Sequence, residues 1–524
     1  MPIGLTVPVQ AQASFTTLHS FNAITDGSNP TARLTLSGKT MYGTTSGGLT
    51  DEFGTVFSIN TNGTGFTTLY SFTAGSGGAG PDTALVLSGS TLYGTTVGDG
   101  VGVGSVFSVG TNGAGFTVLH MFNTTDGSFP MGDLVLSGDT LYGTAQGNTA
   151  GTNSGIVFSV KTDGTDFTIL HAFSLTVGGV NSDGSAPLAG LTLSGSTLYG
   201  TASGGGKSGA GTVFSLKTDG TGFTTLYNFT GGADGADPQA SLTLSGSTLY
   251  GTASEGGSTA ERSSGNGTVF KIGTNGAGFT VLHTFSGATD GAIPRAALTL
   301  SDGTLYGTAS SGGSQDYGTV FALNTNGTGF TTLYSFTQLT AGGVTSIASP
   351  PLSALVLSGA TLYGTTEGGG ADEDGAVYAL TLNFSGQYEI QCEASGLAAN
   401  VKGGSDTDGA EIIQWPFSGT GNEVWTFIPT SNGYYQINNI QSGRDIVVQG
   451  ASTAGGAKIV QWSFGSSGDD QWKPVSNSDG SYTFYNLHSG LALDDPAGST
   501  SQGTQFDQWA ADQDTNQEFN LIPQ

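Results

Sequence analysis

The sequence predicts an all-β protein, a seven-bladed β-propeller followed by a C-terminal β-trefoil. Three observations predict it. Four short β-forming segments recur seven times in one order, a second pattern recurs three times at another period, and glycine supplies 90 of 524 residues. Only 10% of the chain is charged, while 36% is hydrophobic and 10% aromatic. Apolar content at that level, spread evenly, can fill cores, which a solvated glycine-rich coil cannot.

Each of the seven copies holds segments of the types LTLSG, TLYGT, GTVFS and FTTLYSF. The tyrosine of LYGT (once MYGT) falls at Tyr42, Tyr93, Tyr142, Tyr199, Tyr250, Tyr306 and Tyr363, at intervals of 49 to 57 residues. β-Branched and aromatic residues alternate with Thr, Ser or Gly, which is the pattern of strands. Asn62-Gly63 and Asp219-Gly220 make tight turns, because both residue types tolerate positive φ. Four strands in about 50 residues make a propeller blade, and seven blades can close a ring. Gly206-Lys207-Ser208 imitates the end of a phosphate-binding loop. Thr201 holds its leading glycine position, however, and the strand GTVFSL follows where a helix is needed. The nucleotide reading fails.

The chain starts with a strand of the fourth type, at 15–21, and its last copy ends with the third type, at 375–382. With LTLSG innermost, the last blade is expected to take three strands from 352–382 and its outer strand from 15–21. That closure removes an open sheet edge. Strand direction alternates, so the long variable loops, 22–31, 45–53 and their counterparts, share the face where binding or chemistry is expected. The signature LYGTTxxGG…GTVFS…TNGTGFTTL resembles the GloVer-type tandem repeats of large bacterial secreted and surface-anchored proteins, over about 14–382. The resemblance implies fold and export, since that family carries no dependable activity. Residues 1–13, ending in Ala11-Gln12-Ala13, read as the remnant of a secretory signal or a flexible terminus. Residues 14–383 then form the propeller and 384–524 the trefoil.

From about Phe384 the period becomes 47 residues. Tyr388, Tyr435 and Tyr482 keep it, as do Trp415, Trp462 and Trp509, and Trp425, Trp472 and Phe519. Three such repeats suggest a trefoil with the last aromatic set as its core. The stretch SGLALDDPAGSTSQGTQFDQW resembles the ricin-type β-trefoil lectin repeats, marked by Q-x-W, over about 386–524. That resemblance implies an early Asp accepting from sugar hydroxyls, an aromatic stacking on the ring, and an Asn-Gln pair completing the site. Such a set suits a pyranose, whose C–H face is apolar and whose rim is all donors and acceptors. By this likeness the third lobe offers Asp494, Trp509, Asn516 and Gln517, with Asp507 where the family often has Gln. The first offers Asn400, Trp415 and Asn422, with Glu423 where Gln is usual. The second has Val447 in the acceptor position, beside Trp462 and Asp469, and is expected to be weak or silent.

Residues shared by all blades serve the scaffold, so propeller chemistry is sought in departures. Arg33 and Asp133 stand where the other blades have Ala84, Gly190, Ser241, Ala297 and Ala354, and Arg295 lies nearby in the sixth. Glu255 and Glu367 follow LYGT where most copies are neutral. Paired carboxylates could act as general acid and base on a glycoside, and Arg33 and Arg295 could hold a uronate carboxylate. His19, His120, His171 and His283 occupy the position of Tyr70, Tyr227 and Tyr334, which reads as packing. Asp26, Asp126, Asp183, Asp234 and Asp290 precede glycine and shape turns, with Ca²⁺ as the lesser alternative. No cofactor or metal site is otherwise expected.

Net charge is −27 with twelve Lys plus Arg. Such a surface repels phosphates and anionic lipid, so nucleic acid and membrane are not expected partners. No apolar run of about 18 residues suggests a membrane span, and the lone Cys392 allows no internal disulfide. The expected partner is a polysaccharide or glycoconjugate, met by a secreted bacterial monomer. Two readings stand. One is a carbohydrate-binding protein whose trefoil holds polysaccharide and whose propeller is scaffold or second glycan surface. The other is a glycoside hydrolase or polysaccharide lyase, with its active site on the variable-loop face and the trefoil as targeting module.

Overall fold

A computed structural model describes residues 12–524 except 49–52, 74–77, 99–102, 124, 148–153, 258–264, 302, 338–349, 385–386, 431–433, 466–467, 478–480 and 513. Seven antiparallel four-stranded sheets succeed one another along the chain. The first holds Thr35–Ser37, Thr40–Thr45, Thr55–Asn60 and Thr67–Ser71, from the axis outward. The last holds Val356–Ser358, Thr361–Thr366, Ala376–Asn383 and, outermost, Gln12–Ser20. Phe15 pairs with Leu380 and Ser20 with Ala376, so the expected closure is present. The ladder also takes in Gln12 and Ala13, opposite Asn383 and Leu382. These two residues therefore belong to the propeller rather than to the terminal segment 1–13. The rest of that segment, 1–11, lies outside the described residues.

Three contacts repeat around the ring and explain the shared residues. The threonine of each LYGT donates its hydroxyl, at 2.7–3.3 Å, to a carbonyl leading into the next blade's inner strand. Thr44 to Thr83 is the first and Thr365 to Ala32 the last, closing the circle. The His or Tyr of each outer strand stacks on the phenylalanine of the next, as in His19–Phe66 and Tyr227–Phe279, both 3.8 Å between centroids. Tyr334–Phe15, at 4.6 Å, joins the ends. The glycine opening each GTVF has positive φ, and a Cβ there would collide with the next blade's proline, as Gly54 with Pro81 and Gly375 with Pro30. Cores accordingly lie between blades. Leu34 and Phe57 of the first pack with Phe21, Tyr363 and Val377 of the last.

The trefoil is a twelve-stranded sheet system. Trp425, Trp472 and Phe519 are fully buried, as expected of its core. The indole nitrogens of Trp425 and Trp472 donate to the carbonyls of Ala399 (2.9 Å) and Ile446 (2.8 Å). Phe384 packs on the rings of Phe427, Tyr435 and Tyr482. The Tyr435 hydroxyl donates to the Leu382 carbonyl at 3.0 Å, tying the trefoil to the last blade. Among the described residues no helix is long and apolar enough to cross a membrane.

Candidate functional site

The third trefoil lobe gathers its five candidates in one place. Asp494 ends the strand Ala492–Asp494, opposite Asp507 on Asp507–Trp509. It is buried, and its Oδ1 accepts from Asn516 Nδ2 at 2.8 Å and Gln517 Nε2 at 2.9 Å. Both amides arrive on the single 3-10 turn Thr515–Gln517. Burial pushes the Asp494 carboxyl up to about 6, Gln517 opposes the rise and Asp507 adds to it. At neutral pH Asp494 is therefore mostly ionised, an acceptor for hydroxyls. Asp507 Oδ2 meets Lys458 Nζ at 3.2 Å, an ion pair contributed by the second lobe. Trp509 is 49% exposed. Its indole rests on the second lobe's loop, where a Cβ on Gly455 would overlap it.

The first lobe keeps the geometry with polarity reversed. Asn400 Nδ2 donates to Glu423 Oε1 at 2.9 Å, and Asn400 Oδ1 accepts from Asn422 Nδ2 at 3.2 Å. Its anchor is thus a neutral amide engaged at both ends, beside an exposed Trp415. In the second lobe Val447 offers no polar group. Asp470, at the position of Gln517, is buried and accepts from the Gly465 amide through Oδ2, while its Oδ1 has no partner among the described residues. Trp462 remains exposed there as a platform without an anchor.

On the propeller, the residues after each blade's proline line one cavity of about 140 Å³ on the ring axis. Arg33, Asp133 and Arg295 all line it, with Asp82, Gln239 and Ser241. Asp82 was not apparent from the sequence, although its place directly after Pro81, matching Arg295 after Pro294, was the available signal. Burial, then Glu367 and Asp133, push Asp82 up to about 7. Glu367 thus lies within electrostatic reach of the cavity. Glu255 does not line it: its backbone pairs with Ala236 in blade 5, two blades from Glu367. The structure does not bring those two glutamates into one acid–base pair.

The Asp-Gly aspartates are turn residues. His19, His120, His171 and His283 meet Asp26, Asp126, Asp183 and Asp290 at 2.9–3.3 Å, and the Tyr227 hydroxyl donates to Asp234. Each carboxylate also accepts a backbone N–H, as Asp26 does from Asn22. They are distributed over five blades, and among the described residues no three His, Cys, Asp or Glu form a metal-holding group. Burial lowers the pKa of all four histidines, against the pull of their aspartates. The backbone N–H of Lys207 donates to Asn228 in a loop that leads into the strand Thr212–Lys217.

The Gloeobacter/Verrucomicrobia repeat profile matches residues 4–182 and 153–378. The chain belongs to this repeat family. A ricin-type β-trefoil lectin domain-like profile matches 379–462 and 468–524, so the Gloeobacter/Verrucomicrobia repeats are followed by a lectin-like domain. The designed threefold-symmetric protein ThreeFoil is 35% identical over 27% of this chain and 100% of its own, with a TM-score of 0.26. A Macrolepiota procera ricin B-like lectin solved with lactose is 21% identical over 27% and 97%, TM-score 0.24. An exo-β-1,3-galactanase from Clostridium thermocellum is 15% identical over 84% and 95%, TM-score 0.30. No curated protein matches the chain.

In this Gloeobacter/Verrucomicrobia-repeat protein, sequence reasoning missed two supports of the third lobe, Lys458 and Gly455. Both come from the neighbouring lobe, so no spacing within one repeat reveals them.

Proposed function

We propose that this is a secreted carbohydrate-binding protein whose third trefoil lobe grips a sugar residue of a polysaccharide or glycoconjugate, with the propeller as its scaffold. One observation carries the reading. Asp494, a buried carboxylate held by Asn516 and Gln517, sits beside a half-exposed tryptophan. The carboxylate accepts from vicinal hydroxyls and the indole covers an apolar sugar face. The lectin-like family assignment supports the same reading, and the repeat family's likeness to exported proteins supports secretion. Titrating the whole chain calorimetrically with galactose-, xylose- and glucose-based oligosaccharides tests it. Saturable binding that Asp494→Ala weakens about tenfold or more is expected, and a parent protein that binds none of them refutes the assignment.

A further inference from the structure

The axial cavity differs from its sevenfold surroundings. The scaffold positions around it are nearly uniform: a proline packed on glycine, a carbonyl receiving a threonine hydroxyl, and a buried leucine. The second residue after the proline is always small (Ala, Gly, Ser or Thr), whereas the first and third range from apolar to charged and line the cavity. Sister blades fill the third place with Ala84, Ala297 or Ala354 and the first with Leu188 or Leu352. Charge there is therefore not required by the fold. Yet two of the chain's twelve basic residues, Arg33 and Arg295, stand at these places and line the same cavity. Both are exposed, and among the described residues neither guanidinium has a hydrogen bond or an acidic partner, in a chain carrying 39 acids. Opposite them Asp133 is fixed by accepting the Ala84 N–H at 2.8 Å, and Asp82 accepts from the Thr31 hydroxyl.

We propose that the axial cavity of the propeller binds an acidic sugar, a hexuronate, with its carboxylate taken by Arg33 and Arg295 and its hydroxyls by Asp82 and Asp133. Two forked guanidiniums suit a planar carboxylate, and fixed carboxyl groups suit a hydroxylated ring. Burial first, then Glu367 and Asp133, push Asp82 up to about 7, and Arg33 and Arg295 line the same cavity. Below that pH it carries a proton, so an anionic ligand meets less repulsion. Only the choice of a sugar over another anion rests on the glycan-binding reading.

The test uses the full chain carrying Asp494→Ala and Trp509→Ala, so that the trefoil site is silenced and the two readings fail separately. D-galacturonate and D-glucuronate are titrated by calorimetry at pH 6 and pH 8, against D-galactose, acetate and D-glucosamine. Saturable uronate binding is expected, weaker at pH 8, and weakened about tenfold or more by Arg33→Ala or Arg295→Leu. Sister blades already carry those replacement residues, and unchanged melting temperatures will show that the variants fold. Uronate affinity unchanged in both variants overturns the proposal, as does no uronate binding at all. Acetate binding as tightly as uronate overturns its sugar part. Glucosamine binding that strengthens with pH assigns the cavity to cations instead.

Discussion

The propeller and the trefoil are both built by repetition, and they use it in opposite ways. In the propeller the repeated side chains face the next blade: threonine to carbonyl, histidine or tyrosine to phenylalanine, glycine to proline. Those side chains are engaged by the neighbouring blade, so the departures such as Arg33 and Asp82 are what distinguish one blade's axial end from another. In the trefoil the repeated tryptophans Trp415, Trp462 and Trp509 face outward, 43–49% exposed. There a departure from the repeat, Val447, takes a polar anchor away rather than adding one. A closed ring is read by its exceptions, and a threefold lectin-like body by its repetition.

The contrast can be broken at the seam first. Deleting residues 1–21 strips the outer strand from Ala376–Asn383 and removes Phe21, which is fully buried. Loss of one such phenylalanine alone costs about 3–5 kcal/mol. The truncated protein should aggregate in size-exclusion chromatography and melt well below the parent, and an unchanged melting temperature would contradict the closure. Next come the lobes. Asp494→Ala or Trp509→Ala should weaken sugar binding about tenfold or more, whereas Val447→Ala should change nothing. Conversely, Val447→Asp with Asp469→Asn and Asp470→Gln copies the third lobe's set onto the second. Calorimetric stoichiometry should then rise by one site.

Smaller effects test the ring's uniformity. Tyr378 stands where the six other blades have phenylalanine, and its buried hydroxyl has no partner among the described residues. An unsatisfied buried polar group costs about 1–3 kcal/mol, so Tyr378→Phe should raise the denaturation midpoint. The smallest effect concerns pH. Burial lowers the histidine pKa values below the unfolded 6.5. Between the folded and unfolded values the unfolded chain binds more protons, so this part of the stability is present above 6.5 and declines as pH falls. Replacing the four by tyrosine, as in their sister blades, should lessen the loss of melting temperature between pH 7.5 and 5.5 relative to the parent. An equal loss in both proteins would mean the histidines do not contribute.

Much of this was legible because it is periodic. Seven LYGT copies and an offset chain start were enough to place 15–21 against the last blade, and a 47-residue spacing separated the buried Trp425 and Trp472 from the exposed Trp415 and Trp462. The third-lobe set could be read because its residues lie within one repeat. Asp82 could not, since only the closed ring brings it near Glu367 and Asp133, over 280 residues and about 50 residues away in sequence. The pairing of histidine with the Asp-Gly aspartate was also hidden. The sequence shows two separate regularities, one of packing and one of turns, and the strand-to-loop bend makes them a single contact.

The strand Ala376–Asn383 has two neighbours in the chain's logic: it holds the closing strand along its length, and just past its end the trefoil begins. Tension applied through a glycan-anchored trefoil therefore enters the ring at Asn383. The antiparallel partner is anchored at the opposite end, where Ser20 leads into the first blade, so pulling slides the two strands lengthwise instead of peeling them apart. All rungs from Gln12 to Ser20 then bear load together. The same noncovalent joint that makes the circle complete thus becomes a shear-loaded fastening between the lectin-like domain and whatever drags on the propeller. Single-molecule pulling from residue 524 against an attachment in the first blade would reveal it as a high rupture force, lost when the closing strand is removed.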